Sequence, residues 1–251
     1  MFDRFKKSTP APAPAAPVAA PPLVGVPSGL VSLTKAAGVS LAKAGVPAGL
    51  RAAVYLVVDR SGSMCDHFRN GDVQDLADRA LGLSANLDDD GTVPLVFFDH
   101  RPYPVVDISL DQYQGVVAAQ HQLHGGERTM GGTVYMAAMA TVIDHYRNSG
   151  ATDPALVIFQ TDGGPADTDA TRLQLAQASK LPIFWAFVGF GPTKVAFLRE
   201  LDRLRGRLVD NASYFHAGAD PRGLPDHELY DGITSEFSRW LVAARAKNIL
   251  P

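Results

Sequence analysis

The stretch on which the fold depends is Ala52–Ser63, which reads AAVYLVVDRSGS. Its first half is an apolar, partly β-branched run that is bounded by turn residues, and such a run predicts a strand buried on both faces. Its second half is a glycine-containing loop with one carboxylate and two hydroxyls at alternating positions. In a roughly extended loop, Asp59, Ser61 and Ser63 project to the same side.

Two interpretations of this loop follow from the residue types alone. Hard oxygen donors at the carboxyl end of a strand suit a small divalent cation such as Mg2+. The same pattern also fits a polar loop in which Asp59 and Ser61 only cap the next helix. Under the metal interpretation, we expect these side chains to lie outside the packed core, so that their loss spares the fold.

Composition limits the possible classes of protein. The chain has 251 residues, of which 46% are hydrophobic and 20% charged, as expected of a packed globular core. A net charge of -3 gives no electrostatic basis for nucleic-acid binding. Cys65 is the only cysteine, which excludes an internal disulfide and fits a reducing, cytoplasmic compartment. We find neither a signal peptide nor an apolar run that could span a bilayer.

The N-terminal fifth of the chain differs from the rest. We predict a disordered tail over residues 1–30, because the tract 8–27 is dominated by Ala and Pro. Residues 31–50 contain a short repeat, VSLTKAAG followed by VSLAKAG. Each copy alternates apolar and polar residues before a glycine, which predicts two short strands or a small hairpin. The main domain is then expected over residues 51–251.

Strands and helices are predicted to alternate through that domain. Apolar runs predict further strands at Thr92–Phe98, Val105–Ile108, Ala155–Gln160, Leu181–Val188 and Ser213–His216. Helical periodicity predicts helices at Phe68–Leu87, Leu110–His121, Val134–Tyr146, Thr171–Ser179, Val195–Leu204 and Leu229–Ala246. Pro94 predicts an edge position or a bulge in its strand. The alternation predicts an α/β fold with a doubly wound, mostly parallel sheet covered by helices on both faces.

In such a sheet, functional groups gather beyond the carboxyl ends of the strands. Three separated segments are therefore expected at one edge, namely the Asp59 loop, the glycine-rich loop that ends at Thr133 and the turn after Ala155–Gln160 that contains Asp162. The glycines before Thr133 are expected to permit close backbone approach, because neither a GxGxxG motif nor a phosphate-binding lysine accompanies them. This convergence favours the metal interpretation.

Other candidate sites are weaker. The run Asp88–Asp90 lacks the alternating ligands and closing glutamate of a Ca2+ loop, so we interpret it as a solvated turn. His100, His121 and His124 have no cysteine pair nearby to complete a Zn2+ site, and we interpret them as surface residues.

These motifs carry a resemblance to a known family. Asp59-x-Ser61-x-Ser63, then Thr133 after two glycines, then Asp162 in a TDG turn resemble the metal-ion-dependent adhesion site (MIDAS) of von Willebrand factor type A (vWA) domains. The resemblance implies a Rossmann-like sheet of six strands with one short antiparallel edge strand. It also implies a Mg2+ site, open to Mn2+ or Ca2+, in which both serines and Thr133 bind the cation and both aspartates contact it directly or through water.

A narrower resemblance is to bacterial tellurium-resistance (Ter) proteins. The repeat in residues 31–50 resembles the opening strands of their stress-response domain, and the closing stretch 229–250 resembles the terminal helix of their A-type domains. The resemblance implies a non-enzymatic cytoplasmic adaptor that binds a protein partner through an Asp or Glu carboxylate on the metal. Two alternatives remain at this point: a Mg2+-assisted phosphatase or hydrolase, and a scaffold that the metal only stabilises.

Overall fold

The computed structural model describes residues 25–88 and 90–251. The Ala/Pro-rich tract as far as residue 24 lies outside the described residues. Ser28–Leu30 form a short 3-10 helix in which Leu30 is buried. The predicted disordered tail over residues 1–30 therefore extends too far, because its last residues belong to the folded body.

The described part of the chain contains six strands, β1 (Ala53–Asp59), β2 (Thr92–Phe98), β3 (Val106–Ser109), β4 (Ala155–Thr161), β5 (Ile183–Phe190) and β6 (Ala212–Gly218). Its α-helices are α1 (Val31–Lys43), α2 (Cys65–Arg69), α3 (Asp72–Leu87), α4 (Val116–Leu123), α5 (Tyr135–Ser149), α6 (Thr168–Ala178), α7 (Ala196–Asp202), α8 (Asp226–Thr234) and α9 (Phe237–Ala246). The strands form one sheet in the order β3-β2-β1-β4-β5-β6, in which only the β2–β3 pairing is antiparallel. The predicted α/β architecture with a short antiparallel edge strand is confirmed.

Both faces of the sheet are covered by helices, as the apolar runs predicted. Side chains of β1 alternate between two separate cores, because successive residues of a strand point to opposite faces. Leu56 and Val58 pack with residues of α1, α3, α8 and α9, whereas Tyr55 and Val57 pack with residues of α5, α6 and α7. The central strands are therefore buried along their length, and their polar residues are confined to the ends.

The prediction of two short strands in residues 31–50 is wrong. Val31–Lys43 form the single helix α1, which packs against α3 and α8. Gly38 is not a turn residue but a contact point, since a Cβ there would lie 2.8 Å from Asn86 Oδ1 on α3. Gly45, with φ of +77°, follows the end of the helix. An alternating pattern that also buries residues three and four apart fits a helix equally well, and docking on α3 favours the helix.

Two predicted long helices are each divided. A turn at Gly71, with φ of +80°, separates α2 from α3 in the predicted helix Phe68–Leu87. The predicted closing helix is likewise split into α8 and α9. Its predicted apolar face is confirmed, because Ile233, Phe237, Trp240 and Leu241 are all buried.

Pro94 lies neither on an edge strand nor at a bulge, but it has one unpaired side, as the prediction of an edge position requires. Its strand β2 is paired on both sides, with β1 and with β3. However, the pairing with β1 begins at Leu95, so Pro94 faces only Asp107 of β3. A residue without an N–H is tolerated there because only one ladder passes that position.

Candidate metal centre

The strand order places two of the predicted loops side by side. The chain runs from β1 outward to β2 and returns on the other side of β1 as β4, so β1 and β4 form the point at which the strand order reverses. Val58 lies opposite Gln160 in the β1–β4 ladder, which sets Asp59 beside Thr161. Ligand sites of doubly wound sheets form at such a crevice.

Asp59 lies at the base of this crevice and is fully buried, so the expectation that it lies outside the packed core is wrong. Its Oδ1 accepts a hydrogen bond from the Ser61 N–H (2.7 Å), and its Oδ2 accepts one from the Thr161 hydroxyl (2.6 Å). Burial raises the pKa of the Asp59 carboxyl to about 7, and these hydrogen bonds offset only part of that effect. Asp59 pairs with no Lys, Arg or His side chain of the described residues, and a buried carboxylate in that situation favours the arrival of a cation.

Three further predicted ligands form a continuous row above Asp59. Ser61 Oγ lies 3.1 Å from Ser63 Oγ, and the Ser63 hydroxyl donates to Asp162 Oδ1 over 2.9 Å. Ser61 is buried, Asp162 is half-buried and Ser63 is exposed. The row of oxygen donors therefore begins at the buried end of β1 and reaches solvent at Ser63, where it is accessible.

Thr133 reaches the same edge through its neighbours. Ser61 and Gly131 form an isolated parallel bridge, and the Gly62 N–H donates to the Gly131 carbonyl over 3.0 Å. A Cβ on Gly131 would lie 2.4 Å from His100 Nδ1 and 3.1 Å from Asp99 Cγ, so the predicted close backbone approach is confirmed. Among the described residues, no hydrogen bond joins the Thr133 hydroxyl to the other four predicted ligands.

The capping interpretation of the first loop does not hold. Ser61 precedes the 3-10 turn Gly62–Met64 but makes no side-chain capping bond to it. Asp59 bonds to the amide of Ser61 in its own loop rather than to a helix. A different aspartate, Asp167, bonds the first amides of α5, those of Tyr135 (3.0 Å) and Met136 (2.8 Å).

The donor set fits a hard divalent cation. Oxygen ligands of six-coordinate Mg2+ lie roughly 2 Å from the ion and therefore about 3 Å from one another. The oxygen–oxygen distances along the row, 3.1 Å and 2.9 Å, match the edges of such an octahedron. In the described ranges, no group of three or more His, Cys, Asp or Glu side chains is placed to bind a metal, so any site here depends on its hydroxyls.

Sequence reasoning missed a buried ion pair beneath the site. Arg60 and Asp99 are both fully buried, with Arg60 Nη1 3.4 Å from Asp99 Oδ2. Asp99 follows β2 directly, just as Asp59 ends β1. An aspartate at the end of each of two adjacent strands is visible in the sequence and could have predicted that Asp99 lies near Asp59. Adjacent parallel strands bring the residues at their carboxyl ends to one edge of the sheet.

The histidines match expectation only in part, since the His100 side chain is 62% exposed as predicted. His121 is buried and stacks on Phe68 with ring centroids 4.3 Å apart, so its predicted surface position is wrong. His67 lies on α2, four residues after Ser63, and its Nδ1 is 2.6 Å from Asp72 Oδ2. It therefore has the orienting partner that the sequence did not reveal.

Taken together, the sheet order and the converging loops define a vWA domain. Solved structures with this fold include proximal thread matrix protein 1 from the mussel byssus (TM-score 0.54, 14% identity, 75% of this chain) and a von Willebrand factor type A protein from Catenulispora acidiphila (TM-score 0.52, 18% identity, 74% of this chain). Our chain covers 48% and 42% of those chains, respectively.

Within that class, the chain belongs to the vWA-TerF-like family. The family model described as the vWA found in the TerF C terminus matches residues 51–250. The uncharacterized protein YcbR of Bacillus subtilis (strain 168) is 31% identical over 200 residues, covering 79% of this chain and 81% of YcbR. The family match begins after α1, although α1 packs on the same body.

Proposed function

We propose that this protein is a Mg2+-dependent protein-binding module. The observation that supports it most directly is the row of oxygens from Ser61 through Ser63 to Asp162, whose spacing matches adjacent ligands of an octahedral cation. Asp59 and Thr133 complete the proposed ligand set, directly or through water. Mg2+ is the proposed physiological ion, and Mn2+ or Ca2+ could replace it.

The partner is proposed to supply the last ligand. Because Ser63 is exposed and Asp162 half-buried, a cation held here keeps a face toward solvent. Mg2+ retains water on such a face, and an Asp or Glu carboxylate of a partner protein can displace one of these waters. Partner affinity then depends on the metal, since the partner's carboxylate gains its interaction only when the ion is bound.

Membership of the vWA-TerF-like family supports the setting that we propose, a cytoplasmic adaptor in a tellurite or metal-stress response. The lone cysteine fits a reducing compartment. In the described ranges, no helix has the length and apolar character needed to cross a membrane.

Ser63→Ala tests this function with little risk to the fold, because the side chain is exposed. For Ser63→Ala, we expect the Mn2+ affinity measured by calorimetry to fall at least tenfold, since one direct ligand is lost. For the wild-type protein, we expect capture of a partner from lysate to require Mg2+ and to be abolished by EDTA. The matched control is Ser235→Ala, at an exposed serine between α8 and α9. Equal Mn2+ binding by wild type and Ser63→Ala, or capture that EDTA leaves unchanged, would reject the proposal. Intact capture with a lowered melting temperature would instead support a metal-stabilised scaffold.

One observation favours a second candidate, a Mg2+-assisted phosphatase or hydrolase. The His67–Asp72 pair has the arrangement of a base with its orienting carboxylate, and the His67 ring packs against Phe190 at the carboxyl end of β5. We nevertheless propose a non-enzymatic role and expect no Mg2+-dependent hydrolysis of p-nitrophenyl phosphate above that of His67→Gln. Turnover that the substitution removes would establish the second candidate.

A further inference from the structure

Arg60 stands between two proposed ligands, Asp59 and Ser61, yet its side chain points away from solvent and is fully buried. Its guanidinium donates to the carbonyls of His124 (2.9 Å) and Gly126 (2.7 Å) and to the Thr129 hydroxyl (2.7 Å). A weaker bond reaches the Thr129 carbonyl (3.3 Å). Arg60 therefore binds three residues of the turn over residues 124–129, which we call the upper loop, from its buried side. On the exposed side, Arg69 of α2 pairs with Glu127 of the same loop (2.6 Å).

The same guanidinium is fixed from the side of β2. Arg60 Nη1 donates to the Tyr103 hydroxyl (2.8 Å) and faces Asp99 Oδ2 (3.4 Å), and the Tyr103 hydroxyl itself donates to Asp99 (2.6 Å). The guanidinium carbon also lies 5.1 Å from the centre of the Tyr103 ring. Arg60 is thus held at a fixed position by the end of β2 and its following loop.

The upper loop leads directly into the segment that carries Thr133. Gly131, two residues beyond the loop, bridges Ser61 and accepts the Gly62 N–H. The Val134 N–H donates to the Asp99 carbonyl (2.9 Å), which ties the same segment to the partner of Arg60. Through these contacts, the position of Arg60 sets the distance between the first and second ligand loops.

We propose that Arg60 is the positioning residue of the metal centre: it places no atom on the cation but fixes the Asp59–Ser63 loop against the segment that leads to Thr133. This inference rests on the proposed metal-binding function. A ligand set drawn from separate loops binds a cation tightly only when the loops are already held in place, because otherwise binding must also order them. Arg60 supplies that order through a buried fork of hydrogen bonds that lysine cannot reproduce.

Arg60→Lys is the decisive variant, since it keeps the charge opposite Asp99 but removes the fork. The matched control is Arg79→Lys. Arg79 is similarly buried and binds the carbonyls of Arg222 and Leu224 and the carboxylates of Asp75 and Asp226, none of which belongs to the three ligand loops. Both variants are expected to lower the melting temperature. Only Arg60→Lys is expected to weaken Mn2+ binding, by tenfold or more, in calorimetry well below that temperature.

A second measurement does not depend on the metal. The Gly62 amide bonds across the two ligand loops, and the Val134 amide ties the second of them to Asp99. Hydrogen exchange of both amides is expected to be at least tenfold faster in metal-free Arg60→Lys and unchanged in Arg79→Lys. Should wild type bind no Mn2+, the metal function fails while this exchange result still shows whether Arg60 holds the loops together.

If Arg60→Lys does not fold, Thr129→Val replaces it as the test variant. It removes the hydroxyl that accepts from Arg60 Nη2 without disturbing the buried charges, and a threefold or greater loss of Mn2+ affinity is expected. Mn2+ affinity and amide exchange within twofold of wild type in Arg60→Lys, or in Thr129→Val where that variant replaces it, would overturn the inference.

Discussion

Replacing Asp59 with asparagine is expected to abolish Mg2+ binding and, at pH 8 without metal, to make the protein more stable than wild type. Asp59 is fully buried and its carboxyl has a pKa raised to about 7, so the fold disfavours the charged form. Removing that charge is expected to raise the free energy of unfolding by on the order of 2–4 kcal/mol. Calorimetric titration with Mg2+ measures the first effect, and urea unfolding in EDTA measures the second.

The substitution leaves the local hydrogen bonds intact. An asparagine Oδ1 can accept from the Ser61 N–H as Asp59 does now. Its amide can donate to Thr161 Oγ1, because the Thr161 hydroxyl can turn its proton to the Gly163 carbonyl 3.1 Å away. The groups that now bond Asp59 then keep their partners, and the only new group is the second amide N–H of the asparagine, whose burial offsets part of the gain in stability.

The pH dependence has a definite sign. The folded pKa of Asp59, about 7, exceeds the ordinary value of 3.8, so between these values the folded protein binds the proton more tightly than the unfolded chain. Metal-free wild type should therefore lose stability as the pH rises from about 4 to about 7, and change little through this group above that range. Asp59→Asn lacks the titrating group and should not show this loss.

Asp162→Asn is the matched control, because this carboxylate belongs to the same proposed site but is only half-buried. It should weaken Mg2+ binding without the gain in metal-free stability. If Asp59→Asn bound Mg2+ as tightly as wild type, the proposed ligand role of Asp59 would be wrong. If it were less stable than wild type at pH 8 in EDTA, the explanation through buried charge would fail.

Much of the fold could be predicted because its determinants are local. The apolar run of β1 and its abrupt polar end are visible within Ala52–Ser63, and the boundaries Thr92–Phe98 of β2 match the prediction. The placement of the Asp59 and Asp162 loops at one edge follows from parallel strands alone. These features need no knowledge of which side chains meet.

The errors arose where contacts between distant parts of the chain determine the local structure. The repeat around Gly38 alternates like a strand, but its docking on α3 makes it helical, and only the partner helix reveals this. Likewise, the motif Asp59-x-Ser61 leaves position 60 unspecified and so assigns no role to Arg60. The buried role of Arg60 depends on its bonds to the upper loop, which lies more than sixty residues later in the chain. Sequence periodicity does not connect residues so far apart.

Asp99→Ala is expected to cause the largest loss of stability of any single change considered for this site. It leaves Arg60 as an unpaired charge in a fully buried position and removes the acceptor of the Tyr103 hydroxyl. Breaking a buried ion pair from one side costs about 3–5 kcal/mol, because the remaining charge cannot regain its hydration. The free energy of unfolding from urea titration in EDTA measures this loss.

Two comparisons separate the buried charge from a general effect of losing a carboxylate. Asp66→Ala removes one of the two carboxylates that pair with Arg69, the one 3.3 Å away, and leaves Glu127. The Asp66 and Arg69 side chains are 82% and 59% exposed, so no measurable change is expected. The double variant Asp99→Ala/Arg60→Met should be more stable than Asp99→Ala alone, because it also removes the stranded charge. A loss in Asp99→Ala no larger than in Asp66→Ala would contradict the expectation.

The outcome for the double variant also tests whether the buried Arg60–Asp99 ion pair is present for stability or for metal binding. An apolar pair of similar size could fill the same space, so stability alone does not require a buried charge beside the ligand loops. Only the guanidinium fork binds the carbonyls of His124 and Gly126 together with the Thr129 hydroxyl. The double variant should therefore regain stability but not Mn2+ affinity, since it lacks the guanidinium that binds the upper loop.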